Sequence, residues 1–149
     1  MAQDLSVLLQ EAIGDAGARL RAIDDSGATE RGAAGKWSRK EELGHLIDSA
    51  TNNHVRFVRA SLEPELRTPT YDGPGWVRMH GYEGMSWREL VEFWEGYQKL
   101  LVRVVARIPE EALGRSCVLS DRKPVTLREL VEDYVGHMRH HLDHILKKG

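Results

Sequence analysis

Apolar positions recur at intervals of three and four along most of the chain, the spacing that gathers them on one face of an α-helix. Leu5, Leu8, Leu9, Ala12, Ile13, Ala16, Leu20 and Ile23 set a first helix from about Asp4 to Asp25, after which Gly27, Gly32 and Gly35 spread across a loop. The second helix has a sharper start. In Ser38-Arg39-Lys40-Glu41 the serine hydroxyl can accept from the third-position amide while Glu41 reaches back to the Ser38 amide. From there Leu43, Leu46, Ile47, Ala50, Phe57 and Val58 carry it to about Leu62, ahead of Pro64. Ser86-Trp87-Arg88-Glu89 and Thr126-Leu127-Arg128-Glu129 repeat that start signal. The former opens a third helix that stops at Pro109, and the latter a fourth that runs almost to Gly149.

Strand-like alternation is confined to a short hairpin from Cys117 to Val125, turning at Ser120-Asp121. Four long amphipathic helices predict an all-α fold, a four-helix bundle, and a length of 149 residues suits one domain over 1–149. The connection from Glu63 to Met85 exceeds a simple turn. It contains Tyr71, Trp76 and Tyr82, too aromatic for disorder, so it reads as an ordered crossover with a turn of helix at Trp76 to His80. Those aromatics either wall a site or plug the end of the bundle.

Composition narrows the function. Lys and Arg number 21 against 23 for Asp and Glu, a net charge of −2, which leaves no electrostatic footprint for nucleic acid. No apolar run is long enough for a membrane span. The start, Met1-Ala2-Gln3-Asp4, lacks the basic and apolar stretches of an export signal, and Cys117 is the single cysteine, so the expected setting is the cytoplasm.

Histidine is the informative excess. The fourth helix carries two i, i+4 pairs, His137 with His141 and His140 with His144. Either pair places two imidazoles where both can reach one cation. With Leu127 at zero and about 100° per residue, the apolar arc centres near ~20°, His137 falls near ~280° and His141 near ~320°, while His140 and His144 lie further toward solvent. The first pair therefore borders the core. On the second helix His45 lies on a polar stripe with Asp48, Ser49, Asn52 and Arg56. The competing readings are a solvated helix face and an exposed histidine cluster favoured by the helix dipole.

The segment Trp37 to Ser49, followed downstream by Thr126 to Leu130 and His137 to Ile145, resembles the DinB-like superfamily. Tyr71-Asp72 and Trp76 are similar to the crossover of its branch of proposed metal-dependent hydrolases and bacillithiol transferases. The likeness spans about residues 36 to 146. It implies a four-helix bundle, frequently a homodimer, with one divalent ion, nickel or zinc, held by three histidines. Carried onto this chain, the ligands are His45, His137 and His141.

Three imidazoles leave an open coordination position, where a water or a thiol can lose its proton near neutral pH. Asp48 and Asp133, each one turn from a candidate ligand, could accept a ring N–H; either could equally be a solvated charge. Tyr71 and Asp72 would stand at the mouth of the site, Arg56 and Arg139 could attract an anionic thiol or substrate, and Cys117 is a weak nucleophile candidate. The leading expectation is transfer of a low-molecular-weight thiol to an electrophilic small molecule. Metal-assisted hydrolysis of an amide or ester and a non-catalytic metal-binding protein are the alternatives. The first and third helices could form a twofold interface, with Trp87 and Trp94 as anchors.

Overall fold

The computed structural model describes residues 2–32 and 35–147. Two of the three start signals form in full. The Ser38 hydroxyl accepts from the Glu41 amide at 3.2 Å and Glu41 accepts from the Ser38 amide at 3.1 Å, opening α4 (Arg39–Leu62). Thr126 and Glu129 reciprocate at 3.1 and 3.0 Å before α7 (Leu127–Lys147). Ser86 supplies its half at the start of α6 (Trp87–Ala106). The end of the last helix beyond Lys147 lies outside the described residues.

The expected first helix is broken. α1 (Ala2–Ile13) stops at Gly14, whose φ of +39° leaves the right-handed region, and a Cβ there would lie 2.9 Å from the Glu11 carbonyl oxygen. The chain resumes as α2 (Ala16–Arg21) and α3 (Asp25–Thr29), the latter capped by Asp24 through the Gly27 amide at 2.7 Å. Periodicity missed the break because Ala16 and Leu20 keep facing the core after it.

α1, α4, α6 and α7 form a four-helix bundle in which α4 and α1 sit diagonally, each packed against both α6 and α7. Phe57, Trp94, Leu101, Leu127 and Met138 lie almost wholly out of solvent between them. Phe57 meets Tyr134 edge-on, and the Tyr134 hydroxyl donates to Gln98 at 2.8 Å. Trp87 and Trp94 are buried, so neither can anchor a dimer; Phe93 and Leu100 are the exposed apolar residues of α6.

The crossover is ordered. Leu66–Thr68 forms β1, α5 follows at Gly73–His80, and a turn of 3-10 helix at Tyr82–Gly84 leads into α6. β2 (Ser116–Leu119) and β3 (Val125–Thr126) make the expected antiparallel hairpin, with Ser120 at a φ of +53° in the turn. β1 adds to β2 in parallel, Cys117 opposite Leu66. Three residues are too few to show alternation, so this strand was not foreseeable from its pattern. Among the described residues no helix is long and apolar enough to cross a membrane.

Candidate metal centre

The cap at Ser38 fixes where α4 begins and thereby the face on which His45 emerges, toward α7. His45, His137 and His141 each bring a ring nitrogen within 4.8 Å of the others. The His45 and His137 Nε2 atoms stand 3.1 Å apart, and the three ring centroids are separated by 4.5 to 5.0 Å. Two nitrogens at ~2.0–2.1 Å from one ion lie about 2.9 Å apart at a right angle and about 3.3 Å apart at a tetrahedral one. The observed spacing falls between these values.

Electrostatics favour the ligand form. Burial pushes the His45 and His137 imidazoles down to about 4, with repulsion from the neighbouring rings adding to it, so both are neutral at pH 7. His45 Nδ1 is enclosed without a hydrogen-bond partner among the described residues. Trp37 covers this ring at 4.9 Å between centroids, and Gly73 at the start of α5 lies beside its Cε1 and Nδ1 edge.

His141 is oriented by Glu42, a residue the sequence reading passed over. Its Nδ1 lies 2.9 Å from the buried Glu42 carboxylate, leaving Nε2 for the cluster. His144 brings its Nδ1 to the same carboxylate at 2.7 Å. Burial alone would raise the Glu42 carboxyl, but the two imidazole hydrogen bonds outweigh it and hold the carboxyl below its ordinary range. The signal was present: Glu42 precedes His45 by one turn, so both emerge near the same face of α4.

Asp48 is wholly buried but does not support His45. Its Oδ1 accepts from the Tyr82 hydroxyl at 2.6 Å and faces His80 Nδ1 at 3.0 Å, while Oδ2 has no hydrogen-bond partner among the described residues. Burial raises the Asp48 carboxyl despite both neighbours, and burial together with the Asp48 carboxylate raises the Tyr82 phenol. Gly44 makes this arrangement possible, since a Cβ there would overlap the Tyr82 ring.

The remaining candidates separate. Tyr71 is half-buried against Trp76, with the Arg56 guanidinium 5.7 Å from its ring centroid. Asp72 is exposed and caps α5 through the Gly75 amide at 3.0 Å. Arg139, His140 and Asp133 are exposed, and Asp133 pairs with no histidine among the described residues. Cys117 is fully buried and burial raises its thiol, which removes it as a nucleophile. Two cavities flank the cluster. One of about 730 Å³ is lined by Trp37, Glu42, His140, His141 and His144; one of about 230 Å³ is lined by His137, Ser49, Asn53, Arg56, Tyr71 and Arg122, among others.

A helical bundle with three converging imidazoles on its second and last long helices defines the class of protein. The chain belongs to the DinB superfamily, whose profile matches residues 8–145. It is 22% identical over 129 residues to a proposed metal-dependent hydrolase of Oceanobacillus iheyensis, covering 87% of this chain and 74% of that one. A similarly named protein of Halalkalibacterium halodurans is 22% identical over 123 residues, 83% of this chain and 71% of its own. Among solved structures, YfiT from Bacillus subtilis, described as a metal-dependent hydrolase by inference with an unusual four-helix bundle topology, superposes with a TM-score of 0.82. The match has 20% identity and covers 97% of this chain and 83% of YfiT. A mycothiol-dependent maleylpyruvate isomerase superposes with a TM-score of 0.77 at 14% identity, over 96% of this chain and 60% of the isomerase.

Proposed function

We propose that the protein is a metal-dependent enzyme that holds one divalent ion, zinc or nickel, on His45, His137 and His141 and transfers a low-molecular-weight thiol to an electrophilic small molecule. The observation that carries the reading is the convergence of three imidazole nitrogens, two of them 3.1 Å apart and kept neutral by burial. A divalent ion bound there supplies Lewis acidity and favours deprotonation of a thiol or water at neutral pH. Thiol dependence is favoured by the shared fold with the mycothiol-dependent isomerase. Hydrolysis of a small amide or ester is the second reading, favoured by the names of both curated relatives.

The chain's own groups then divide the work. Glu42 accepts from His141 and so aims its other nitrogen inward. Tyr71 lines the cavity beside His137, in position to touch a bound molecule. Asp48 acts on the site indirectly, by holding Tyr82 and His80. Asp72 positions α5, which lays Gly73 on His45. Arg139 is available at the surface to draw in an anionic thiol. A homodimer would bury Phe93 and Leu100 rather than the tryptophans.

Metal-loaded protein incubated with a thiol and a chlorinated or epoxide electrophile tests the reaction. Thiol-dependent consumption of the electrophile, lost in His137→Ala, is the expected result. Turnover of esters or amides without thiol would replace transfer by hydrolysis, and bound metal with neither activity would leave a metal-binding protein.

A further inference from the structure

We propose that the cavity of about 230 Å³ beside His137 is an anion subsite, in which Arg56 and Arg122 hold a carboxylate of the reacting molecule. Its part in turnover rests on the histidine centre proposed above; its ability to bind an anion does not.

Arg56 carries the argument. It is 8% exposed, and a guanidinium keeps its charge when buried. A buried charge requires compensation from nearby groups. Among the described residues Arg56 has no carboxylate partner: it donates to the Pro69 carbonyl at 3.4 Å, a long contact, and lies over the Tyr71 ring. A second guanidinium, Arg122, lines the same cavity, near enough to repel the Arg56 charge. Asp133 is the one acidic group among the described residues of the wall, so two positive side chains face one negative. Such an excess suits a monoanion, and the planar forks of arginine match the two oxygens of a carboxylate.

Volume limits the ligand. At about 230 Å³ the space is smaller than the ~300–1,000 Å³ of pockets for drug-sized ligands and suits the carboxylate end of a small acid. Because His137 forms part of the same wall, a molecule anchored by its carboxylate presents its far end to the histidines. The carboxylate could belong to the electrophile or to the thiol, and the chemistry of recognition is the same.

The test uses the full chain freed of metal, titrated with butyrate and with butyramide while the arginine Nε–Hε signals and the binding heat are followed. Butyrate should bind about tenfold or more tightly than the amide, shifting the Arg56 signal, and binding should fall several-fold in Arg122→Met and almost vanish in Arg56→Met. Arg122 is exposed, so its variant keeps the readout usable should the Arg56 variant misfold. Equal affinity for the two compounds, or butyrate binding unchanged in Arg122→Met, overturns the subsite. Zinc uptake by the same preparations is measured separately. Discrimination without metal uptake sinks only the histidine centre, and metal uptake without discrimination sinks only the subsite. On metal-loaded protein, 3-mercaptopropionate against 3-mercaptopropionamide names the source: an Arg122-dependent preference for the acid assigns the carboxylate to the thiol, and its absence alongside butyrate selectivity assigns it to the electrophile.

Discussion

Glu42 and Asp48 flank His45 on one helix, one turn before and one turn after, and both are buried, yet their carboxyls shift in opposite directions. Glu42 faces α7 and accepts from two imidazoles, which hold its carboxyl down. Asp48 faces the crossover, where Tyr82 and His80 together do not offset burial and its second oxygen is unpaired among the described residues. The comparison teaches that burial alone does not set the direction in which a carboxyl beside this centre shifts; the kind of donor does, two imidazoles for Glu42 against one imidazole and a neutral phenol for Asp48. One end orients His141, and the other fastens the crossover over the bundle.

The largest way to break the comparison is Gly44→Ala. Its methyl group enters the space of the Tyr82 ring and should force the crossover away from Asp48, costing about 3 kcal/mol or more, read as a lowered denaturation midpoint. Glu42→Gln should leave the fold intact but weaken metal binding about 10- to 100-fold, because the amide no longer fixes His141 as a carboxylate does; a competition titration against a chelator measures it.

The pH dependence of stability should then differ in sign between the two ends. The folded Glu42 carboxyl titrates lower than in the unfolded chain, so its contribution is present above the unfolded value of 4.5 and is lost as pH falls through the folded one. Asp48 is raised, so the unfolded chain releases the proton first and the wild type loses stability as pH climbs above 3.8. In metal-free protein, the advantage of wild type over Glu42→Gln should therefore grow from pH 4 to 7 (roughly the carboxylate range), while that over Asp48→Asn should shrink. Parallel denaturant curves at several pH values check both slopes. The smallest effect belongs to His144→Ala. It removes one of two donors to Glu42 and should weaken metal binding by no more than about fivefold, provided His141 keeps its own bond.

Much of this architecture was legible in the sequence. Capping pairs at Ser38 and Thr126 located two helix starts because the signal is local, and the three-and-four stripes located the bundle because each helix buries one face. The i, i+4 pair His137 and His141 converges with His45 as the wheel and the family resemblance together expected. What escaped depends on contacts distant in sequence. Gly14 breaks a helix whose apolar stripe continues past it, and β1 exists through pairing with a strand some 50 residues away. The link from Asp48 to Tyr82 and His80 requires the crossover to fold back over α4, which no helical wheel describes. Arg122 reaches the cavity beside His137 from the hairpin turn, where nothing in its neighbours distinguishes it from a solvated surface charge.

The most direct measurement is equilibrium zinc binding to the metal-free chain beside its His45→Ala, His137→Ala and His141→Ala variants. The account predicts one ion per chain in the wild type and a loss of at least about 100-fold in affinity in each variant, since two imidazoles make a poor site. Wild-type stoichiometry and affinity surviving in any of the three would contradict it.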